Sequence, residues 1–138
     1  FTYLMSNSNS NNDLIKWKAG TVIYNFNDKS DYAYFLKKGE IEIISEKGTR
    51  VGFINDNEVF GESSILLGTK RTVTAKATQD SEGIKIPQEK LLKEFNKSST
   101  LIKAILRSTC IRLTNLDNTI KKNLENENWN FNYLISFS

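Results

Sequence analysis

The residues best equipped for chemistry lie in one run, Val59-Phe60-Gly61-Glu62-Ser63-Ser64-Ile65-Leu66-Leu67-Gly68-Thr69-Lys70-Arg71-Thr72-Val73-Thr74-Ala75. A glycine, an acid and two small hydroxyl residues open a brief helical turn, a second glycine ends it, and a single arginine follows before a strand resumes. Free N–H groups at the start of such a turn, around Ser63 and Ser64, present partial positive charge to an oxyanion with no bulky side chain in the way. Arg71 adds a planar fork of donors for the same anion. Glu62 would repel a phosphate, but a carboxylate accepts hydrogen bonds from a sugar hydroxyl, as an acid does on ribose in dinucleotide folds. An anion site and a sugar acceptor in one loop point to a nucleotide carrying few phosphates. The plainer alternatives are a surface salt bridge for Arg71 and a cap on its own short helix for Glu62.

The rest of the composition narrows the field. The 138 residues allow one ordinary domain, and no apolar run approaches the roughly 20 residues that a helical membrane span needs. There is no histidine, which removes Ser/His/Asp and Cys/His catalysis and His-ligated metals, and no cluster of carboxylates has metal-ligand spacing. We therefore expect no catalytic residues, no metal and no cofactor. The lone Cys110 has no partner for an internal disulfide and fits a reducing, cytoplasmic setting. A net charge of +3 is too mild to imply nucleic-acid binding.

These residues need a scaffold. Between Lys16 and Ile86 short, alternating, β-branched and aromatic runs are separated by Gly, Asn and Asp, the pattern of a compact β fold. Strands are expected at Thr21–Tyr24, Tyr32–Leu36, Glu40–Ile44, Val51–Ile54, Thr72–Ala77 and Gly83–Ile86. In the third, Ile41 and Ile43 share one face and the glutamates Glu40 and Glu42 the other. Lys47-Gly48 and Asn55-Asp56-Asn57 read as turns. Pro87 suits the first turn of a short helix to Phe95, and Ser98-Ser99-Thr100 caps a longer one. Along the longer helix Ile102, Leu106, Leu113, Leu116 and Ile120 form a near-heptad stripe interrupted at Thr109, suited either to the chain's own β domain or to a second copy.

At this point the residues resemble the phosphate-binding cassette of cyclic nucleotide-binding domains: Phe60-Gly61-Glu62, a short helix, the break at Gly68, then Arg71-Thr72. The similarity extends to Gly20 before a strand, to Tyr34-Phe35-Leu36 with Gly39, and to two closing helices between Pro87 and Lys122, covering roughly Leu14 to Ile120. It implies a mainly β architecture with helical flanks, an antiparallel β-roll (a jelly roll, or double-stranded β-helix) over about 16–86 followed by C-terminal helices over about 87–122. The domain would span 14–122, between a flexible Asn/Ser-rich segment at 1–13 and an Asn/aromatic tail at 123–138.

The resemblance further implies a ligand, cAMP or cGMP. Glu62 would take the ribose 2'-hydroxyl, Gly61 would let the backbone approach, Ser63 and Ser64 would lend N–H groups, and Arg71 would pair with the exocyclic phosphate oxygens. Thr72 would face base or phosphate and admit guanine. The lid over the base would come from Leu113, Leu116, Ile120 or the aromatic tail. Asn57 stands where the family usually has Gly, Ser64 where Ala is common, and Val73-Thr74-Ala75 where a small residue usually follows the Arg-Thr pair, so that Val73 narrows the pocket near the phosphate. The expected role is a regulatory sensor that signals through its last helix, inside a bacterial-type transcription regulator or another signalling protein. The chain opens on Phe1 rather than Met, as expected of a fragment of a longer gene product. Its partners would be the cyclic nucleotide and a homodimer mate met through helix 100–122, with neither nucleic acid nor membrane touched by this segment. The competing reading is a non-binding domain of the same fold, used for structure or dimerisation.

Overall fold

The computed structural model describes residues 13–125. In chain order the elements are β1 (Leu14–Trp17), β2 (Val22–Tyr24), β3 (Tyr32–Lys38), β4 (Ile41–Ile44), β5 (Arg50–Ile54), β6 (Glu58–Phe60), α1 (Glu62–Leu67), β7 (Thr74–Ala77), β8 (Ser81–Pro87), α2 (Gln88–Lys97) and α3 (Thr100–Glu125). The strands form two four-stranded antiparallel sheets, ordered β1-β8-β3-β6 and β2-β7-β4-β5. Each sheet mixes strands from both ends of the β region, so the chain winds between them as a β-roll followed by helices. The alternation in β4 works out as expected: Ile41 is fully buried, and Glu42 pairs outward with Arg50 at 2.8 Å.

Aromatic rings fill the space between the sheets. Trp17, Tyr24, Tyr34, Leu36, Ile41, Phe60, Ala75 and Ala77 make the core. Tyr24 lies near-parallel to Tyr34, Tyr34 stacks on Phe60 at 5.3 Å between ring centroids, and Trp17 meets both Tyr34 and Phe60 edge-on. Such offset and edge-to-face pairs suit the quadrupoles of the rings. Two turns hold the sheets in register. At Gly39 (φ 124°) a Cβ would fall 2.1 Å from Ser81 Oγ, so no larger residue fits, and its N–H donates to Asp56 Oδ1. Asn57 takes φ 66°, the left-handed conformation that Asn tolerates where the family usually has Gly.

The helices depart from expectation in two details. Strand β8 runs through Pro87, which pairs with Tyr32 and keeps an extended ψ of 145°, so α2 begins at Gln88 and Pro87 stands just before it. In α3, Ser99 Oγ caps the start by accepting from Ile102 N–H at 3.2 Å, as expected. Over the described side chains, however, its apolar stripe is left largely open. Ile102, Leu106 and Leu113 are exposed, and among the described side chains of α3 the buried one is Cys110, on a neighbouring face that touches α1. The segment 1–12, the tail from 126 and the side chains of Leu116 and Ile120 lie outside the described residues.

Candidate functional site

Arg71 is the centre of the site, and it is buried, only 4% exposed. Its backbone is braced by the β2–β3 loop: Arg71 N–H donates to Asp28 O, and Asn27 N–H, at a residue with φ 71°, donates to Arg71 O. Its side chain turns inward. Nη1 donates to Gly61 O at 2.5 Å and to Ser64 Oγ at 3.0 Å, Nη2 donates to Tyr32 O, and the guanidinium lies over the Tyr24 ring, 4.0 Å from its centroid. Of the five N–H donors of a guanidinium, three are thus used by the protein. Nε is buried without a partner. Burying a charge-bearing donor without an acceptor costs stability.

Helix α1 supplies the other half. Gly61 precedes it with φ 76°, and Gly68 closes it with φ 69°, donating to Ile65 O. The two glycines are needed because L-residues with a Cβ rarely adopt that conformation. Glu62 opens the helix, and burial pushes its carboxyl pKa above the usual range, against the opposing pull of its own backbone N–H, Arg71 and the Ser63 hydroxyl. The Ser63 hydroxyl also reaches the Cys110 thiol on α3, whose pKa is raised by burial. A cavity of about 260 Å³ opens between this helix, strand β5 and Leu113 of α3, close to the lower end of small-molecule sites at about 300 Å³. Its wall includes Gly61, Glu62, Ser63, Ser64, Arg71 and Thr72, all six residues expected from the sequence.

The cyclic nucleotide-binding domain model matches residues 14–98, more than half of the chain. The chain belongs to the cyclic nucleotide-binding domain family. Solved structures agree on the fold. The EAL enzyme Bd1971 in its cGMP-bound form superposes with a TM-score of 0.70 at 19% identity, over 83% of this chain and 34% of that one. The sensor domain of the transcriptional regulator DNR from Pseudomonas aeruginosa gives 0.61 at 21% identity, over 73% and 71%. The cAMP-bound regulatory subunit PfPKA-R gives 0.56 at 26% identity, over 58% and 30%. The chain therefore spans about a third of the length of the first of these. No curated protein sequence matches significantly.

Within this cyclic nucleotide-binding domain, several residues also have surroundings that the sequence did not suggest. A Cβ on Gly61 would lie 2.9 Å from Arg71 Nη1 and 3.3 Å from Tyr24 Cε1, so the glycine makes room for the arginine and its ring as well as for any ligand. Ser64 contributes its hydroxyl, which accepts from Arg71, in addition to any backbone group. Thr72 is exposed on the rim, and Val73 both lines the cavity and packs on the core. Of the lid candidates, Leu113 reaches the cavity wall. Three contributors were not singled out from sequence: Tyr24 as the floor, and Asn27 and Asp28 as the brace. The signal available was weak, an Asn in a polar break and a Tyr that reads as ordinary strand core. Among the described residues, no helix is long and apolar enough to cross a membrane.

Proposed function

We propose that this domain is a sensor that takes cAMP or cGMP into the cavity between α1, β5 and α3, and that α3 reports occupancy to the rest of a signalling protein. The observation that carries the reading is the buried Arg71, whose side chain lines one cavity together with the cassette residues Gly61, Glu62, Ser63, Ser64 and Thr72. The phosphate would pair with the Arg71 guanidinium, the Glu62 carboxylate would accept from the ribose 2'-hydroxyl, and the Thr72 hydroxyl would meet the base on the rim. Leu113 would close over the base. Since Cys110 ties α3 to α1 and Leu113 lines the cavity, a ligand that favours one position of α3 shifts its population by the difference in affinity. The exposed leucines and isoleucines of α3 suit a second copy of the helix, and a cytoplasmic regulator is the setting that fits best.

Calorimetric titration with cAMP and with cGMP tests this. Each charge-assisted hydrogen bond contributes about 1.5–3 kcal/mol, so Arg71→Ala should weaken binding at least about tenfold and Glu62→Gln by about ten- to a hundredfold. Absence of heat and of any thermal shift with both nucleotides at millimolar levels would refute the reading. One observation favours the alternative, a non-binding structural domain: the protein itself already holds Arg71 through three acceptors and a ring.

A further inference from the structure

Tyr24 lies on β2, far in sequence from the cassette, and is 8% exposed. Its ring bears the Arg71 guanidinium on one side, while near-parallel packing on Tyr34 fixes its own tilt. Burial drives the Tyr24 hydroxyl pKa upward, which keeps the ring neutral across the physiological range. Gly61 is the third part of the arrangement. Without a Cβ, it lets Nη1 sit on its carbonyl while Tyr24 Cε1 passes alongside.

A flexible arginine normally loses much rotamer freedom when it seizes an anion, and that loss subtracts from affinity. Here the loss is taken at folding. The ring fixes the plane of the guanidinium, Gly61 O, Ser64 Oγ and Tyr32 O fix its rotation within that plane, and Nε with one Nη2 hydrogen is left over. We infer that Tyr24 is a positioning residue of the anion site, holding the Arg71 guanidinium beneath the cassette, at the cavity that a ligand phosphate would enter. This rests on the cyclic nucleotide reading for the identity of the ligand, but the placement of Arg71 by Tyr24 can be measured without one.

The test compares wild type with Tyr24→Phe and Tyr24→Leu. Two quantities are read: the NMR resonance of the Arg71 Nε–H in the free protein, and dissociation constants for cAMP and cGMP beside those for adenosine and guanosine, which lack the phosphate. A ring beneath the guanidinium shifts the Nε–H resonance by its ring current. That shift should persist in Tyr24→Phe and vanish in Tyr24→Leu. Cyclic nucleotide affinity should fall about tenfold in Tyr24→Leu and be restored in Tyr24→Phe, with nucleoside affinity unchanged. General loosening of the fold would weaken nucleoside and nucleotide alike, and that result would overturn the inference. So would an Nε–H resonance indifferent to the leucine. If wild type binds neither cyclic nucleotide while the resonance responds as expected, the ligand reading falls and the placement of Arg71 by Tyr24 stands.

Discussion

Gly61→Ala is a sharp perturbation because its cost divides into parts that separate variants can isolate. The first part is conformational. Gly61 holds φ 76°, and a residue with a Cβ in the left-handed region costs about 1–2 kcal/mol. The second is local: the new methyl would stand 2.9 Å from Arg71 Nη1, so the guanidinium must retreat and its bond to Gly61 O is weakened or lost. A hydrogen bond from a charged donor is worth about 1.5–3 kcal/mol, and the Tyr24 stack is disturbed with it. The sum is about 2.5–5 kcal/mol, a large share of the about 5–15 kcal/mol that holds a domain together. Gly20→Ala provides the reference, since Gly20 has φ 88° and nothing lies within 4 Å of its added Cβ, leaving about 1–2 kcal/mol. Urea denaturation of Gly20→Ala, Gly61→Ala, Arg71→Ala and the Gly61→Ala/Arg71→Ala pair closes a double-mutant cycle. The excess of Gly61→Ala over Gly20→Ala should disappear once Arg71 is alanine. If Gly61→Ala costs as much with Arg71 absent as with it present, the glycine is not making room for the arginine and the account of the site's floor is wrong.

Other expectations follow from the same geometry. Because the folded pKa of Glu62 lies above its unfolded value, its contribution to stability is greatest below the unfolded value and declines as pH rises toward the folded one. Glu62→Gln should therefore be more stable than wild type at neutral pH and not at acid pH, as thermal melts across pH will show, and wild-type affinity for cyclic nucleotide should fall as pH drops and the carboxylate is protonated. Cys110, buried and with a raised pKa, should react slowly with a thiol reagent, and Leu101→Asp, at an exposed position on α3, should leave that rate within about twofold. Fast reaction in the native protein would show that α3 does not rest on α1. Gly39→Ala, whose methyl would meet Ser81 Oγ at 2.1 Å, should cost more than Gly20→Ala by denaturant midpoint, and equal midpoints would contradict the packing of that turn.

Much of the scaffold could be read from local pattern. The alternation of Glu40 to Ile44, the turn at Lys47-Gly48 and the Ser98-Ser99-Thr100 cap each depend on neighbours in sequence, and each appears where expected. Strands β1 and β6 were harder, because four residues beside an Asn-rich stretch and three residues merging into the cassette carry too little period to stand out. That the six expected residues share one cavity wall follows from a short loop with two glycines, an acid and an arginine, which keeps its chemistry close together. Their support was not legible. Tyr24 under Arg71, and Asn27 and Asp28 around its backbone, meet it only through the pairing of β2 with β7, and nothing in a local window distinguishes such a Tyr from core. The stripe on α3 was visible, but the residue that contacts α1 is Cys110, which stands off that stripe and is set by tertiary contact alone.

The guanidinium of Arg71 closes one end of the ring column that runs through Tyr24, Tyr34 and Phe60 to Trp17. Replacing this arginine therefore disturbs the packing between the sheets as well as the cavity wall. The wall of the cavity and the core of the fold thus share one side chain, and neither can be altered at Arg71 without the other.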